Sequence, residues 1–231
     1  MNPASDSAEP NYSRWQKAQE AEVEYWKIHR KTLPNRHYWT KILKKGFDLD
    51  FSFFLDKNVL EIGPGPSGII YYIREAKYRI GVEPMDLSDL LNKPWKSKIV
   101  KKGVGEKLEF ADSTFDIIVC FNVLDHCYDP ALVLNECHRV LKKEGMLLLW
   151  VHTLRGKYGL IESVLNKIDR PHPHHFDISK LREMVVSCNF MIRQERVSGL
   201  SPALDQNQGD NFKTSVGNFM MESACLICLK N

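Results

Sequence analysis

Apolar residues along this chain follow two rhythms. Between residues 12 and 31, NYSRWQKAQEAEVEYWKIHR, they return at helical spacing, with Trp15, Ala18, Ala21 or Glu22, Tyr25, Trp26 and His29 on one face. Ser13 can cap that helix, and Pro34 with Asn35 stop it. A second short helix is expected over 36–46, ending at Gly46. From residue 57 short apolar runs alternate with helical patterns. Strands are expected at 57–62, 78–83, 97–103, 115–122 and 146–153, and helices at 66–76, 85–92 and 129–145. The last of these helices starts at Asp129-Pro130 and stops at Gly145. Continuous apolar strands separated by helices predict a parallel sheet covered on both faces, an α/β fold. After residue 153 the rhythm changes. Residues 154–176 read as a loop with a helical segment around 158–168, residues 177–189 as a helix capped by Asp177, and 190–197 as a strand. A polar loop, 198–216, leads to a closing strand over 218–230. No helix separates these last two strands, so they are expected to pair antiparallel.

The first strand runs into a glycine turn, VLEIGPGPSG, with Gly63, Gly65 and Gly68 in G-x-G-x-x-G spacing. Strand, glycine turn and helix open a mononucleotide-binding unit, and bare backbone lets a ligand approach closely. Glu83 ends the next strand 20 residues after Gly63, where a carboxylate can accept hydrogen bonds from ribose hydroxyls. To this point a nicotinamide enzyme and an S-adenosylmethionine (SAM) enzyme fit equally well. Glu61 favours the second. An anionic side chain beside the turn repels a pyrophosphate but suits the ammonium and sulfonium of SAM.

These residues resemble a known family. VLEIGPGPSG is similar to motif I of class I SAM-dependent methyltransferases, GVEP (81–84) to their ribose-binding strand end, and residues 103–150 to their downstream motifs, including the UbiE-like small-molecule type. The resemblance covers roughly residues 57–153. It implies a Rossmann-like, mostly parallel seven-stranded sheet with the last strand antiparallel, helices on both faces, and SAM as cofactor. It places Glu61 at the methionine ammonium, and Gly63, Pro64 and Gly65 along methionine and ribose. Glu83 would bind the ribose diol, with Pro84 and Met85 beside adenine and Gly105 and Glu106 at its polar edge. Asn122 and Val123 would lie under the sulfonium. Val104 stands where many relatives carry Asp, leaving the adenine contact to backbone N–H groups and Glu106. The pattern RWQKAQEAEVEYW also resembles the start of methyltransferases from glycan and surface-polysaccharide pathways.

Methyl transfer is an in-line displacement, and a hydroxyl acceptor benefits from a positioned base. Histidine is the natural candidate. His126 and His152 follow the fourth and fifth strands, and PHPHHF (171–176) supplies His172, His174 and His175. His126 and His174 rank first as base or substrate ligand, with His152 third. The ligands of PHPHHF lie too close in sequence to close a metal site alone, so no metal is expected. Packing on the sheet is the first reading of Trp15, Trp26 and Trp39, and lining an acceptor pocket or shielding SAM from water the second.

Composition narrows the field. The chain has 231 residues, 43% hydrophobic and 26% charged, and a net charge of +3, too weak to argue for nucleic acid. A small-molecule or glycan acceptor is expected. An RNA or protein methyltransferase, a nicotinamide-dependent oxidoreductase and a non-catalytic SAM-binding protein are the alternatives. The first residues carry no apolar leader and no run reaches about 18 apolar residues, so a cytoplasmic protein without a membrane span is expected. The domain plan is a disordered terminus over 1–10, a helical lid over 11–50 and a SAM-binding domain over 51–231. Cys225 and Cys228 form a C-x-x-C inside an apolar strand and read as core residues.

Overall fold

The computed structural model describes residues 8–29, 33–91, 94–156, 172–199 and 221–231. The chain opens with helix α1 (Ala8–His29) and helix α2 (Arg36–Ile42), which runs on as a π-turn over Leu43–Phe47. Then come β1 (Asn58–Ile62), β2 (Tyr78–Glu83), the single turn α3 (Pro94–Ser97), β3 (Val100–Lys102), β4 (Phe115–Phe121), α4 (Pro130–Val140) and β5 (Leu141–Leu154). The two-residue β6 (Phe176–Asp177), α5 (Ile178–Ser187), β7 (Phe190–Ser198) and β8 (Met221–Lys230) complete it. No described helix is long and apolar enough to cross a membrane.

The strands form one sheet in the order β3-β2-β1-β4-β5-β8-β7, with β6 added beside β5. β1 pairs parallel with β2 and β4, and β4 with β5. β8 runs antiparallel to both neighbours, its register with β5 extending from Met146↔Leu229 to Leu154↔Met221. This is the mostly parallel sheet with a reversed strand near its end that the alternation of runs implied. The short β6 is an eighth strand beyond the seven expected.

Local chemistry sets the helix starts. The Asp129 carboxylate accepts from the N–H groups of Ala131 and Leu132, with Pro130 following, and Asp177 accepts from Lys180 N–H. Asn35 caps α2 by accepting from Tyr38 N–H. α4 stops five residues before the expected Gly145. Leu141 is already extended and paired with Phe115, and Lys142–Gly145 bulge out before pairing resumes at Ile117↔Met146. Glu144, at φ 62°, takes the left-handed conformation inside that bulge.

The helix expected over 66–76 does not form. A 3₁₀ turn, Ile69–Tyr71, stands in its place, in a stretch broken by Pro64, Pro66 and Gly68. Residues 85–91 form turns, not a helix. The sheet face that the missing helix would cover is filled from the N-terminal segment. Trp39, Ile42, Leu43, Phe47 and Phe54 pack there against Val59, Ile117, Val119, Phe121 and Leu148. The opposite face packs Leu60, Ile118, Leu147 and Leu149 against Val133 and Val140 of α4 and Leu181 and Val185 of α5.

The segment expected as a lid over 11–50 therefore divides. α2 and its continuation belong to the core. α1 begins at Ala8, before the expected start, and among its described side chains buries only Trp15 and Ala18. The helical segment around 158–168, most of the polar loop 198–216 and residues 1–7 of the terminus lie outside the described residues. All six cysteines are free and buried, Cys225 and Cys228 among them.

Leu148 is fully buried at the middle of β5. Leu148→Ala is expected to lower unfolding free energy by about 2–5 kcal/mol in a urea titration; a loss below about 1 kcal/mol would contradict this account of the core.

Candidate functional site

β1 ends at Ile62 and the chain turns at Gly63 and Gly65, with φ of 60° and 52°. Space as well as conformation requires glycine here. A Cβ on Gly63 would lie 2.1 Å from Val123 Cγ2. On Gly68 it would lie 2.6 Å from Glu61 Oε2 and 2.6 Å from the Pro64 Cα. The third glycine of the motif thus makes room for a carboxylate, not for helix packing.

Glu61 lies beneath the turn, 2% exposed. Its oxygens accept from the backbone N–H groups of Ile69 (3.2 Å) and Ile70 (2.7 Å). Glu83, at the end of β2, accepts from Gly65 N–H (2.8 Å) and Met85 N–H (3.0 Å). The carbonyls of the same turn are also held. Tyr71 Oη donates to Gly65 O, Lys96 Nζ to Pro66 O and Trp39 Nε1 to Ser67 O, each at 2.9 Å. The chain's own groups hold the turn through both its donors and its acceptors.

Burial dominates the electrostatics. It pushes the Glu61 carboxyl up to about 8 and Glu83 up to about 7, against the pull of the backbone N–H donors. Glu106 is raised for the same reason, and its Oε1 accepts from Tyr128 N–H (2.8 Å) just ahead of α4.

These groups surround one cavity of about 980 Å³, counting its open mouth. Every residue expected at the cofactor lines it. Glu61, Gly63, Pro64 and Gly65 form one side, Glu83, Pro84 and Met85 the next, and Gly105, Glu106, Asn122 and Val123 the floor toward α4. Asn122 sits at φ 53°, held by its N–H donating to Trp150 O (2.6 Å). Its Oδ1 is buried without a hydrogen-bond partner among the described residues, so it caps no turn there.

α1 closes the remaining side with Trp15, Gln19, Glu22 and Trp26. The Trp26 indole lies 3.6 Å from where a Gly65 Cβ would be. Trp39 also reaches the cavity while its Nε1 holds the turn.

The histidines separate. His126 lines the cavity, with Nδ1 3.8 Å from Glu22 Oε2 and Nε2 4.0 Å from Asp125 Oδ1. His174 does not line it. Its Nε2 donates to Tyr128 O (3.3 Å), its N–H donates to Asp125 O, and its ring stacks on Phe176. It braces the 124–128 turn from outside. His152 also stays out of the lining, with Nδ1 3.3 Å from Ser223 Oγ. Burial lowers the pKa of both.

Sequence reasoning missed Tyr71 and Lys96 as clamps of the turn, and Glu22 beside His126. The polar edge of an aromatic ring leaves no mark in an apolar pattern, and Glu22 shared its position on α1 with an equally good alternative, Ala21.

The sheet order and the glycine turn backed by two strand-end acids define a class I methyltransferase fold. The family described as "Methyltransferase domain" matches residues 60–149, so the chain carries a domain of that class, as the motif resemblance implied. The tRNA U34 carboxymethyltransferase of Sulfurimonas denitrificans is 33% identical over 122 residues, 50% of this chain and 40% of that one. The chain spans less than half the length of the curated relatives it matches. Among solved structures, a SAM-dependent methyltransferase from Thermotoga maritima superposes with a TM-score of 0.60 at 19% identity, covering 94% of this chain and 100% of that one. The YcgJ protein from Bacillus subtilis gives 0.59 at 18%, covering 85% and 99%. These likenesses are of fold.

The buried acids make a stability prediction. A carboxyl whose folded pKa is raised keeps its proton after the unfolded chain has lost its own, so its contribution is full below about 4.5 and is lost as pH rises toward 7–8. The buried histidines act oppositely, so the test is differential. Relative to wild type, Glu61→Gln/Glu83→Gln is expected to gain stability between pH 5 and pH 8 in urea titrations; a constant difference would rule out the raised pKa values.

Proposed function

We propose that this protein transfers a methyl group from SAM to a nucleophilic atom of a small molecule, a hydroxyl of a metabolite or glycan being favoured. The observation that carries the reading is the state of the turn. Its N–H groups at Gly65, Ile69 and Ile70 already point at carboxylates of the chain itself. A pyrophosphate finds those three donors already taken and meets two acids. A cationic ligand finds the reverse, and its charge favours the ionised forms of Glu61 and Glu83.

In this reading Glu61 faces the methionine ammonium, and Glu83 uses its remaining lone pairs for the ribose hydroxyls. Asn122 Oδ1, an acceptor without a donor among the described residues, faces the polar groups of the methionine. Trp15, Trp26 and His126 border the acceptor side, with His126 as base or acceptor ligand. His174 acts by positioning the 124–128 turn. Alignment of acceptor and sulfonium in an enclosed site supplies most of the rate, with ~7–11 kcal/mol available from proximity in favourable cases.

Charge supports a small acceptor over RNA. The described lining carries Glu22, Glu61, Glu83 and Glu106 and no lysine or arginine. A polyanion finds no lysine or arginine in that lining to pair with its phosphates. The tRNA-modifying relative keeps nucleic acid as the second reading, marked by affinity that falls steeply with salt.

Calorimetry with SAM and, separately, NADH tests the assignment. SAM is expected to bind, to release protons at pH 6–7, and to bind at least tenfold more weakly to Glu83→Ala. Tight NADH binding without SAM binding would overturn it. S-adenosylhomocysteine formation with metabolite, glycan and RNA fractions then separates the acceptor classes.

A further inference from the structure

Where His126 lines the cavity, two histidines and an aspartate converge. Asp125, His126 and His172 each bring one donor atom, and these atoms lie within 4.8 Å of one another. Asp125 and His126 come from the turn after β4. His172 arrives from a distant stretch, where its carbonyl accepts from Arg14 Nη2 of α1 (3.2 Å). The ring centroids of His126 and His172 are 4.6 Å apart. PHPHHF could not close a metal site alone; the fold supplies the missing ligands from the 124–126 turn.

Independent observations mark this cluster as a ligand site. The Asp125 side chain is 4% exposed, yet its Oδ1 has no hydrogen-bond partner among the described residues. His126 Nδ1 is likewise buried and without one. Buried polar atoms in folded proteins are satisfied as a rule, so an orphan carboxylate oxygen aimed at two imidazoles calls for a cation. His126 also has an acid at each nitrogen, Asp125 Oδ1 4.0 Å from Nε2 and Glu22 Oε2 3.8 Å from Nδ1. Such a pair of carboxylates lets one ring nitrogen ligate a metal while the other gives its proton to an outer acid.

The donor chemistry narrows the ion. Magnesium and calcium take oxygen ligands, whereas two imidazoles and one carboxylate suit zinc and its first-row neighbours. Three protein ligands with an open fourth position are the pattern of catalytic zinc. With bonds of about 2.0–2.1 Å, tetrahedral ligands stand about 3.4 Å apart. The Asp125–His126 pair stands at 4.0 Å and the whole set within 4.8 Å, so metal binding draws the three ligands together.

We infer that Asp125, His126 and His172 bind a divalent cation of the zinc class whose open position takes the acceptor's oxygen or sulfur. The second half rests on the methyl-transfer function proposed above. Coordination acidifies the acceptor O–H or S–H, and the proton leaves to solvent. The freed lone pair forms the bond to the sulfonium methyl. The S–CH₃ bond breaks with its electron pair staying on sulfur, giving S-adenosylhomocysteine. His126 is then a metal ligand, not the base.

The test uses the full chain stripped with a chelator. Zn²⁺ affinity is measured by competition with a chromogenic chelator, and SAM binding by calorimetry on the same preparations. One Zn²⁺ per chain is expected, weakened at least tenfold in Asp125→Asn and in His172→Ala, and unchanged in His37→Ala at an exposed position. Co²⁺ should give visible d–d bands that the first two variants lose. Circular dichroism checks folding, and if Asp125→Asn does not fold, His172→Ala decides alone. Absence of stoichiometric Zn²⁺ binding by wild type, or undiminished binding by the folded ligand variants, overturns the inference. SAM binding without Zn²⁺ binding removes the cation and leaves methyl transfer standing. Zn²⁺ binding without SAM binding supports the cation and removes methyl transfer.

Discussion

Two backbone N–H groups, those of Ile69 and Ile70, end on the Glu61 carboxylate, and the ligand end of the sheet is arranged around that pair of bonds. A buried acid needs donors, and a chain leaving a strand through proline and glycine has donors to spare. Each satisfies the other. Gly68 must be bare because the carboxylate occupies its side-chain space. The segment then needs no α-helix to satisfy its backbone. The sheet face beside it is shared between Ile69, Ile70, Tyr71 and Ile73 of the segment itself and the aromatic residues between Trp39 and Phe54.

The same bonds set the electrostatic character of the cavity. Glu61 and Glu83 hold the turn while remaining in its lining, so the groups that shape the site also choose the sign of its occupant. Without a ligand their charge is suppressed by burial. A cationic ligand restores it. On the proposed reading, structure and selectivity reside in the same two carboxylates and cannot be altered independently by substitution at either position.

The sheet was legible because its strands are long apolar runs, and no other element buries both faces of such runs. Asp129 and Asp177 announced their helices through cap chemistry that is local in sequence. The helix over 66–76 was misread because its apolar residues, Ile69, Ile70, Tyr71 and Ile73, have helical spacing. What overrides that spacing is the carboxylate below, a contact from outside the window. Residues expected at the cofactor fall around one cavity because strand ends and the turns after them are tied to sheet topology. The histidines were harder. Of His126, His152 and His174 only His126 lines the cavity, and nothing in sequence distinguishes an imidazole aimed inward from one that holds Tyr128 O or meets Ser223. The grouping of Asp125, His126 and His172 depends on a distant loop folding back, which periodicity does not record.

α1 borders both ends of the cavity, with Trp26 over Gly65 and Glu22 beside His126, yet among its described side chains it buries only Trp15 and Ala18. A wall with so few anchors is ordered partly by what it encloses. The first molecule to enter bears the entropy of fixing it, and the second then meets a finished surface. On the methyl-transfer reading proposed above, donor and acceptor would be thermodynamically linked through α1, and shortening that helix would uncouple their affinities without touching either contact on the sheet.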